Sequence, residues 1–161
     1  MTMAAALSSD IAQKIRDHGA ETYPHECCGA LLGRDLDASA LSAPDAGQSP
    51  SREIVALFPL VNRRDDSPRN RFSVTSDDVR DAEKAAREKG IDVVGWYHSH
   101  PDHPAKPSEY DREHAWPWYS YVIVSVASGE PRDMTSWQLA DDRSAFQPEE
   151  IAWAVPPGAI K

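Results

Sequence analysis

Hydrophobic positions recur along this chain with two different periods, and the changes between them predict its elements. Leu7, Ile11 and Ile15 stand four residues apart, the spacing of one helical face, with Ser8 or Ser9 placed to cap that helix and Gly19 to stop it. Residues 26–33, ECCGALLG, form a short apolar run that reads as a buried strand. Residues 35–51 mix Ala, Ser, Asp, Pro and Gly without periodicity and predict a loop. EIVALFPLV, residues 53–61, reads as a strand whose far end Pro59 demotes to an edge or bulge. The polar run at 63–70 predicts a turn, and RFSVT at 71–75 a half-buried strand with Phe72 and Val74 inward.

The second half continues the alternation. Ser76 opens a helix in which Asp77 and Asp78 suit the positive N-terminus, Val79, Ala82 and Ala86 share one face, and Gly90 is the stop. Residues 91–100, IDVVGWYHSH, predict a central strand, followed by the proline-held loop PDHPAKP and a short helix starting at Ser108. Strands are expected at 119–127 and 134–140 around a Gly-Glu-Pro turn, and the tail at 149–157 as a further strand or a helix. The total is about six strands, two long helices and one short helix, an α+β chain without internal repeats.

Length and charge narrow the classes. A chain of 161 residues suits a single domain, 1–161, that buries roughly 70% of its unfolded surface and needs neither disulfide nor metal merely to fold. Lys plus Arg number 17 against 26 Asp plus Glu, a formal charge of -9 that repels polyphosphate and argues against a nucleic-acid partner. Cys27 and Cys28 are the two cysteines. Being adjacent, they are poorly placed to pair, and reduced thiols in a cytoplasmic compartment are expected. No apolar run reaches the roughly 18 residues of a membrane span, and the N-terminus lacks the pattern of a secretory signal.

The chemistry concentrates in His98-Ser99-His100-Pro101 with Ser108 and Asp111. Side chains alternate along a strand, so His98 and His100 face the same way and can share one metal ion. Asp111, in the first turn of the next helix, offers a carboxylate oxygen. Three such ligands leave a fourth tetrahedral position for water, the mark of a catalytic zinc site. Proton transfer then needs a carboxylate, and Glu26, acidic in an otherwise apolar run, is the candidate base. Each residue also has a plainer reading. Ser108 and Asp111 make a good helix start, Glu26 could mark a strand edge, and the cysteines suit a core. His25 is expected to point away from Glu26. His114 is a rival ligand three residues after Asp111, and His103 in the proline loop a weaker one.

This pattern resembles the JAMM motif of the MPN-domain metallopeptidases, His-x-His-Pro-x(6)-Ser-x-x-Asp, and residues 24–33, PHECCGALLG, are similar to the glutamate-bearing first strand of that family. The likeness extends from the first helix to the strand at 134–140. It implies an MPN-type, cytidine-deaminase-like mixed β-sheet. It also implies Zn2+ held by His98, His100 and Asp111, Glu26 as general acid/base, and Ser108 as a hydrogen-bond donor to the oxyanion, with His114 outside the ligand set.

Substrates follow only from the resemblance. The chain is most similar to small prokaryotic members, some of which act on ubiquitin-like sulfur-carrier proteins after a C-terminal Gly-Gly. Such a tail needs an extended groove, for which the strand at 53–61 and the loop at 101–107 are candidate walls. The competing functions are a non-catalytic MPN-type scaffold, which usually lacks a metal residue, and a zinc hydrolase of small amides.

Overall fold

The computed structural model describes residues 4–36, 51–61 and 74–154. The expected turn at 63–70, most of the loop at 35–51, the start of the strand at 71–75 and the end of the tail lie outside them.

Among the described residues seven strands and three helices follow the order β1 (Ala4–Ser8), α1 (Ser9–Thr22), β2 (Cys28–Asp35), β3 (Arg52–Leu60), α2 (Ser76–Glu88), β4 (Asp92–Pro101), α3 (Glu109–His114), β5 (Ser120–Ala127), β6 (Glu130–Leu139) and β7 (Phe146–Ala154). The strands close into a barrel in the order β1-β3-β2-β4-β5-β6-β7. The α+β class is as expected, but the count of about six strands is corrected to seven. Val74 and Thr75, expected as the end of a strand, instead lead into α2. β1, not anticipated, is an alanine-rich run with little strand preference of its own. It is held because it pairs in parallel with both β3 and β7, which closes the barrel. The tail is a strand that begins at Phe146.

The helix after β1 has the expected cap, with Ser8 Oγ accepting the Ile11 N–H at 3.2 Å. Ile11, Ala12 and Ile15 are buried, but Gly19 does not stop α1. The helix runs on to Thr22, and Gly19 is where it meets the barrel. A Cβ there would lie 3.0 Å from Val126 Cγ2 and 3.4 Å from Ser99 Cβ, so glycine permits the close approach. α2 is capped one residue before the expected start, by the reciprocal hydrogen bonds of Thr75 and Asp78.

The β5–β6 connection is tighter than the Gly-Glu-Pro reading. Ser128 and Gly129 both have positive φ, 53° and 84°, and Ala127 already pairs with Glu130. That is the backbone of a two-residue hairpin matched to strand twist. β3 pairs with β1 only from Arg52 to Ile54, so its far half, with Pro59, has β2 on one side and no strand on the other among the described residues. β4 lies between antiparallel β2 and parallel β5, is buried from Val93 to Pro101, and carries the two histidines to its C-terminal end.

Candidate metal centre

Strand alternation sets the two histidines. His98 and His100 are both buried, their ring centroids 4.9 Å apart and their Nε2 atoms 3.1 Å apart. Ser99 between them faces the opposite way. Its Oγ accepts the Cys27 N–H at 2.8 Å, and its own N–H donates to the Cys27 carbonyl at 3.2 Å. These two bonds fix the chain just before β2, where Cys28 is already in register with His98. Continuing that antiparallel register by two residues brings Glu26 beside His100. Glu26 is 2% exposed, and one of its carboxylate oxygens lies within 4.8 Å of ring nitrogens of both histidines. It precedes the strand rather than belonging to it, because β2 starts at Cys28.

α3 delivers the second carboxylate. Ser108 Oγ accepts the Asp111 N–H at 3.0 Å, and Asp111 Oδ2 accepts the Ser108 N–H at 2.8 Å, a capping box that orients the carboxylate. The same Oδ2 lies 3.2 Å from His98 Nε2 and 3.2 Å from His100 Nε2. Burial works to raise the Asp111 pKa. The electrostatic pull of His98, hydrogen bonds with His100 and His98, and the Ser108 N–H outweigh it and hold the carboxyl well below the usual range.

These donors fit a metal ion. The Pro104 carbonyl, 2.9 Å from His100 Nδ1, can only accept, so Nδ1 carries a proton and Nε2 is the ring nitrogen turned toward Asp111 Oδ2. A positive charge between Nε2 and Oδ2, 3.2 Å apart in a buried site, satisfies both atoms, whether a shared proton or a metal ion supplies it. Zinc bonds of about 2.0–2.2 Å in tetrahedral arrangement set neighbouring ligand atoms roughly 3.3–3.6 Å apart, so a bound ion would spread the donors by a few tenths of an ångström. The three donors stand 3.1–3.2 Å apart. Glu26 adds a second buried carboxyl group beside them, whose ionised form a cation would also balance.

The rivals are not among these converging donors. His114 hydrogen-bonds the Tyr110 carbonyl through Nδ1 at 2.8 Å and stacks on the Tyr110 ring at 4.0 Å. His103 and His25 are exposed. Among the described residues, the metal-competent group of histidine, cysteine and acidic side chains is Glu26, His98 and His100, to which the hydrogen-bond geometry adds Asp111.

Residues 8–140 match the profile of prokaryotic homologs of the JAB domain. The chain belongs to this JAB/MPN family. Among related JAB-like proteins, a desampylase of Haloferax volcanii is 32% identical over 126 residues, which cover 78% of this chain and 80% of the relative. A protein from Salinibacter ruber, solved in solution, is 44% identical with a TM-score of 0.69 over 96% of this chain and 94% of its own. A JAB1/MPN domain protein from Archaeoglobus fulgidus shares the fold at 15% identity, with a TM-score of 0.51 over 95% of this chain and 97% of its own.

Two contributors to this cluster carry little signal in sequence. Pro104 acts through its backbone carbonyl, which no residue type advertises. Thr135, on β6, donates from Oγ1 to the Ala105 carbonyl at 2.6 Å and accepts from Trp137 Nε1 at 2.8 Å, tying the proline loop to the barrel. Asp102 ties the same loop from its start. It has φ 58°, accepts from Tyr23 Oη at 2.6 Å and from the Ser128 N–H at 2.8 Å. The Cys27 thiol is pushed up to about 12 by burial, and its neighbour Glu26 pushes the same way. Both cysteines are buried, so neither is a surface nucleophile. No described helix is long and apolar enough to cross a membrane.

Proposed function

We propose that the chain, residues 1–161 as one domain, is a zinc-dependent metallopeptidase that hydrolyses an amide bond after the C-terminal Gly-Gly of a ubiquitin-like or sulfur-carrier protein. The observation that carries this reading is the convergence of His98 Nε2, His100 Nε2 and Asp111 Oδ2 within 3.2 Å of one another, with the Glu26 carboxylate buried beside them. A scaffold that only binds proteins has no need to bury two carboxylates against two imidazoles, since each buried charge destabilises the fold unless it is compensated. The enzyme name of the Haloferax volcanii relative supports hydrolysis over scaffolding.

Zinc held by His98, His100 and Asp111 supplies Lewis acidity, polarising the scissile carbonyl and making water more acidic. Glu26 takes the proton from the attacking water and returns it to the departing amine, a role that suits a carboxylate within reach of the ligands but outside their triangle. Ser108 Oγ already accepts the Asp111 N–H, and its own proton remains to donate to the carbonyl oxygen as negative charge develops there. An extended tail would add to the half of β3 beyond Ile54, where the ladder has no partner among the described residues, and run past the 101–107 loop.

The test separates metal binding from chemistry. Glu26→Gln should retain about one zinc per chain and the native fold, while losing hydrolysis of a Gly-Gly-amide by roughly 10²-fold or more. Activity within a small factor of the parent would remove Glu26 from the proton transfer. Full zinc retention in both His98→Ala and His100→Ala would remove the site itself.

A further inference from the structure

His98 and Asp111 stand in the wall of a cavity of about 610 Å³, and a glycine tail gives no account of its other walls. Five aromatic side chains, Trp96, Tyr110, Trp116, Tyr119 and Tyr121, line it. The strands dictate this. Trp96 is two residues before His98 on β4 and therefore shares its face, and it is in register with Tyr121 on β5. The ring of Tyr119 meets Trp96 edge-on at 5.9 Å, and Tyr121 Oη accepts the backbone N–H of Trp116 at 2.9 Å, which ties the chain at Trp116 to the wall formed by Tyr121. Trp116 is nevertheless 63% exposed, with the Arg143 guanidinium 5.1 Å over its ring. An indole so exposed at the mouth of an apolar cavity is open to an incoming group.

We infer that this cavity takes an apolar side chain, best an aromatic one, carried by the residue on the amine side of the scissile bond. The inference rests on the proposed cleavage after Gly-Gly. Glycines have no side chains, so the acyl side leaves the cavity empty, and the group that abuts His98 and Asp111 from within it belongs to the leaving amine. The volume is that of a pocket for a small molecule or an amino-acid side chain with its backbone, not of a protein surface. Rings prefer edge-to-face and offset contacts, which the differently tilted walls offer and a linear aliphatic chain would use less fully. Hydrolysis adds water across the amide, leaving a glycine carboxylate in the groove and the free amine of the aromatic residue in the cavity.

The experiment uses the zinc-loaded full chain and two peptides that differ only after Gly-Gly, one continuing with Phe and one with Ala. We expect kcat/KM for the Phe peptide to exceed that for the Ala peptide by about tenfold or more, and Trp116→Ala to bring the ratio toward one. A ratio near one in the parent, or one unchanged by Trp116→Ala, overturns the inference while leaving the hydrolase reading intact. Binding is read separately in Glu26→Gln, by the indole N–H resonances of Trp96 and Trp116 during titration with N-acetylphenylalanine amide or N-acetylalanine amide. Shifts with the first and not the second support the aromatic cavity, and no shifts with either overturn it. Phe-selective shifts without cleavage of either peptide overturn the Gly-Gly reading and keep the cavity's preference.

Discussion

Ser108 and Asp111 satisfy each other's backbone, Ser108 Oγ accepting the Asp111 N–H at 3.0 Å and Asp111 Oδ2 accepting the Ser108 N–H at 2.8 Å. The cap and the proposed metal donor are therefore one structure: the oxygen that closes the capping box is also the oxygen 3.2 Å from both imidazoles. Losing a cap typically costs about 1 kcal/mol, whereas losing an oxyanion donor costs roughly 10²–10³ in turnover. Ser108→Ala should show both losses and keep its zinc, because the Ser108 N–H still holds Asp111. Ser108→Asp restores a cap but sets an anion toward the developing negative charge. It should melt no lower than the alanine variant and be at least as inactive. Normal turnover in Ser108→Asp would leave Ser108 with a capping role alone.

A bound cation should also stabilise the fold. A ligand that binds only the native state adds about 2.7 kcal/mol when present at a hundred times its Kd. Three of the site's side chains, Glu26, His98 and His100, are at most 8% exposed, so removing the ion would leave buried groups uncompensated. Thermal unfolding with and without a chelator should therefore show a lower midpoint in its presence, restored by zinc. Asp111→Ala should melt at the same temperature under both conditions. A chelator-insensitive parent protein would argue that these residues hold no ion.

Much of this site was legible in the sequence because its geometry is short-range. His98 and His100 share a face by strand alternation alone, and Ser108 with Asp111 is a capping pattern read from spacing. Apart from the family resemblance of residues 24–33, Glu26 was legible only as an acid out of place, since what brings it to His100 is the pairing of β2 with β4 and the Ser99–Cys27 hydrogen bonds, contacts across some seventy positions. The fold was misread where tertiary context overrides local preference. The alanines of β1 become a strand because two neighbours hydrogen-bond them. Gly19 looked like a stop signal but serves as a contact surface within α1. The aromatic cavity had no signature either: Trp96 is on β4, Tyr110 on α3 and Trp116 in the connection from α3 to β5, and only the fold assembles them.

Burial of Cys27 predicts a particular alkaline response. Its folded pKa is raised to about 12, above the ordinary thiol value of about 8.5, so the folded state holds its proton more tightly than the unfolded state. That contribution is fully present below about pH 8.5 and is lost as pH rises toward 12, with a slope of at most about 1.4 kcal/mol per pH unit. Tyr121, also raised to about 12 by burial, adds to the same trend. Denaturant unfolding of the parent and Cys27→Ala at pH 8, 9 and 10 isolates the thiol. The stability difference should move in favour of the alanine variant as pH rises. In parallel, a thiol reagent at pH 8 should leave the folded protein unlabelled and find both cysteines after unfolding. Rapid labelling of folded Cys27 would contradict its burial.

Thr135 reaches the proposed metal centre without touching it. Its Oγ1 donates to the Ala105 carbonyl at 2.6 Å, and the preceding carbonyl, that of Pro104, receives the His100 Nδ1–H at 2.9 Å. Thr135 thus positions the loop that fixes the His100 tautomer and ring angle. Partners of this kind typically account for 10- to 100-fold in metal affinity. Thr135→Val keeps the β-branched shape but removes both the donor to Ala105 and the acceptor for Trp137 Nε1, so the expected result is a zinc Kd raised by about 10- to 100-fold with the strand retained. Thr135→Ser, which preserves the hydroxyl, should recover most of that affinity. A purely structural role would lower the melting temperature of the valine variant and leave the zinc Kd of the folded protein unchanged. Competition titration against a chromophoric chelator distinguishes the two, and an unchanged Kd in Thr135→Val would mean that Pro104 is held in place by the loop's prolines and Asp102 alone.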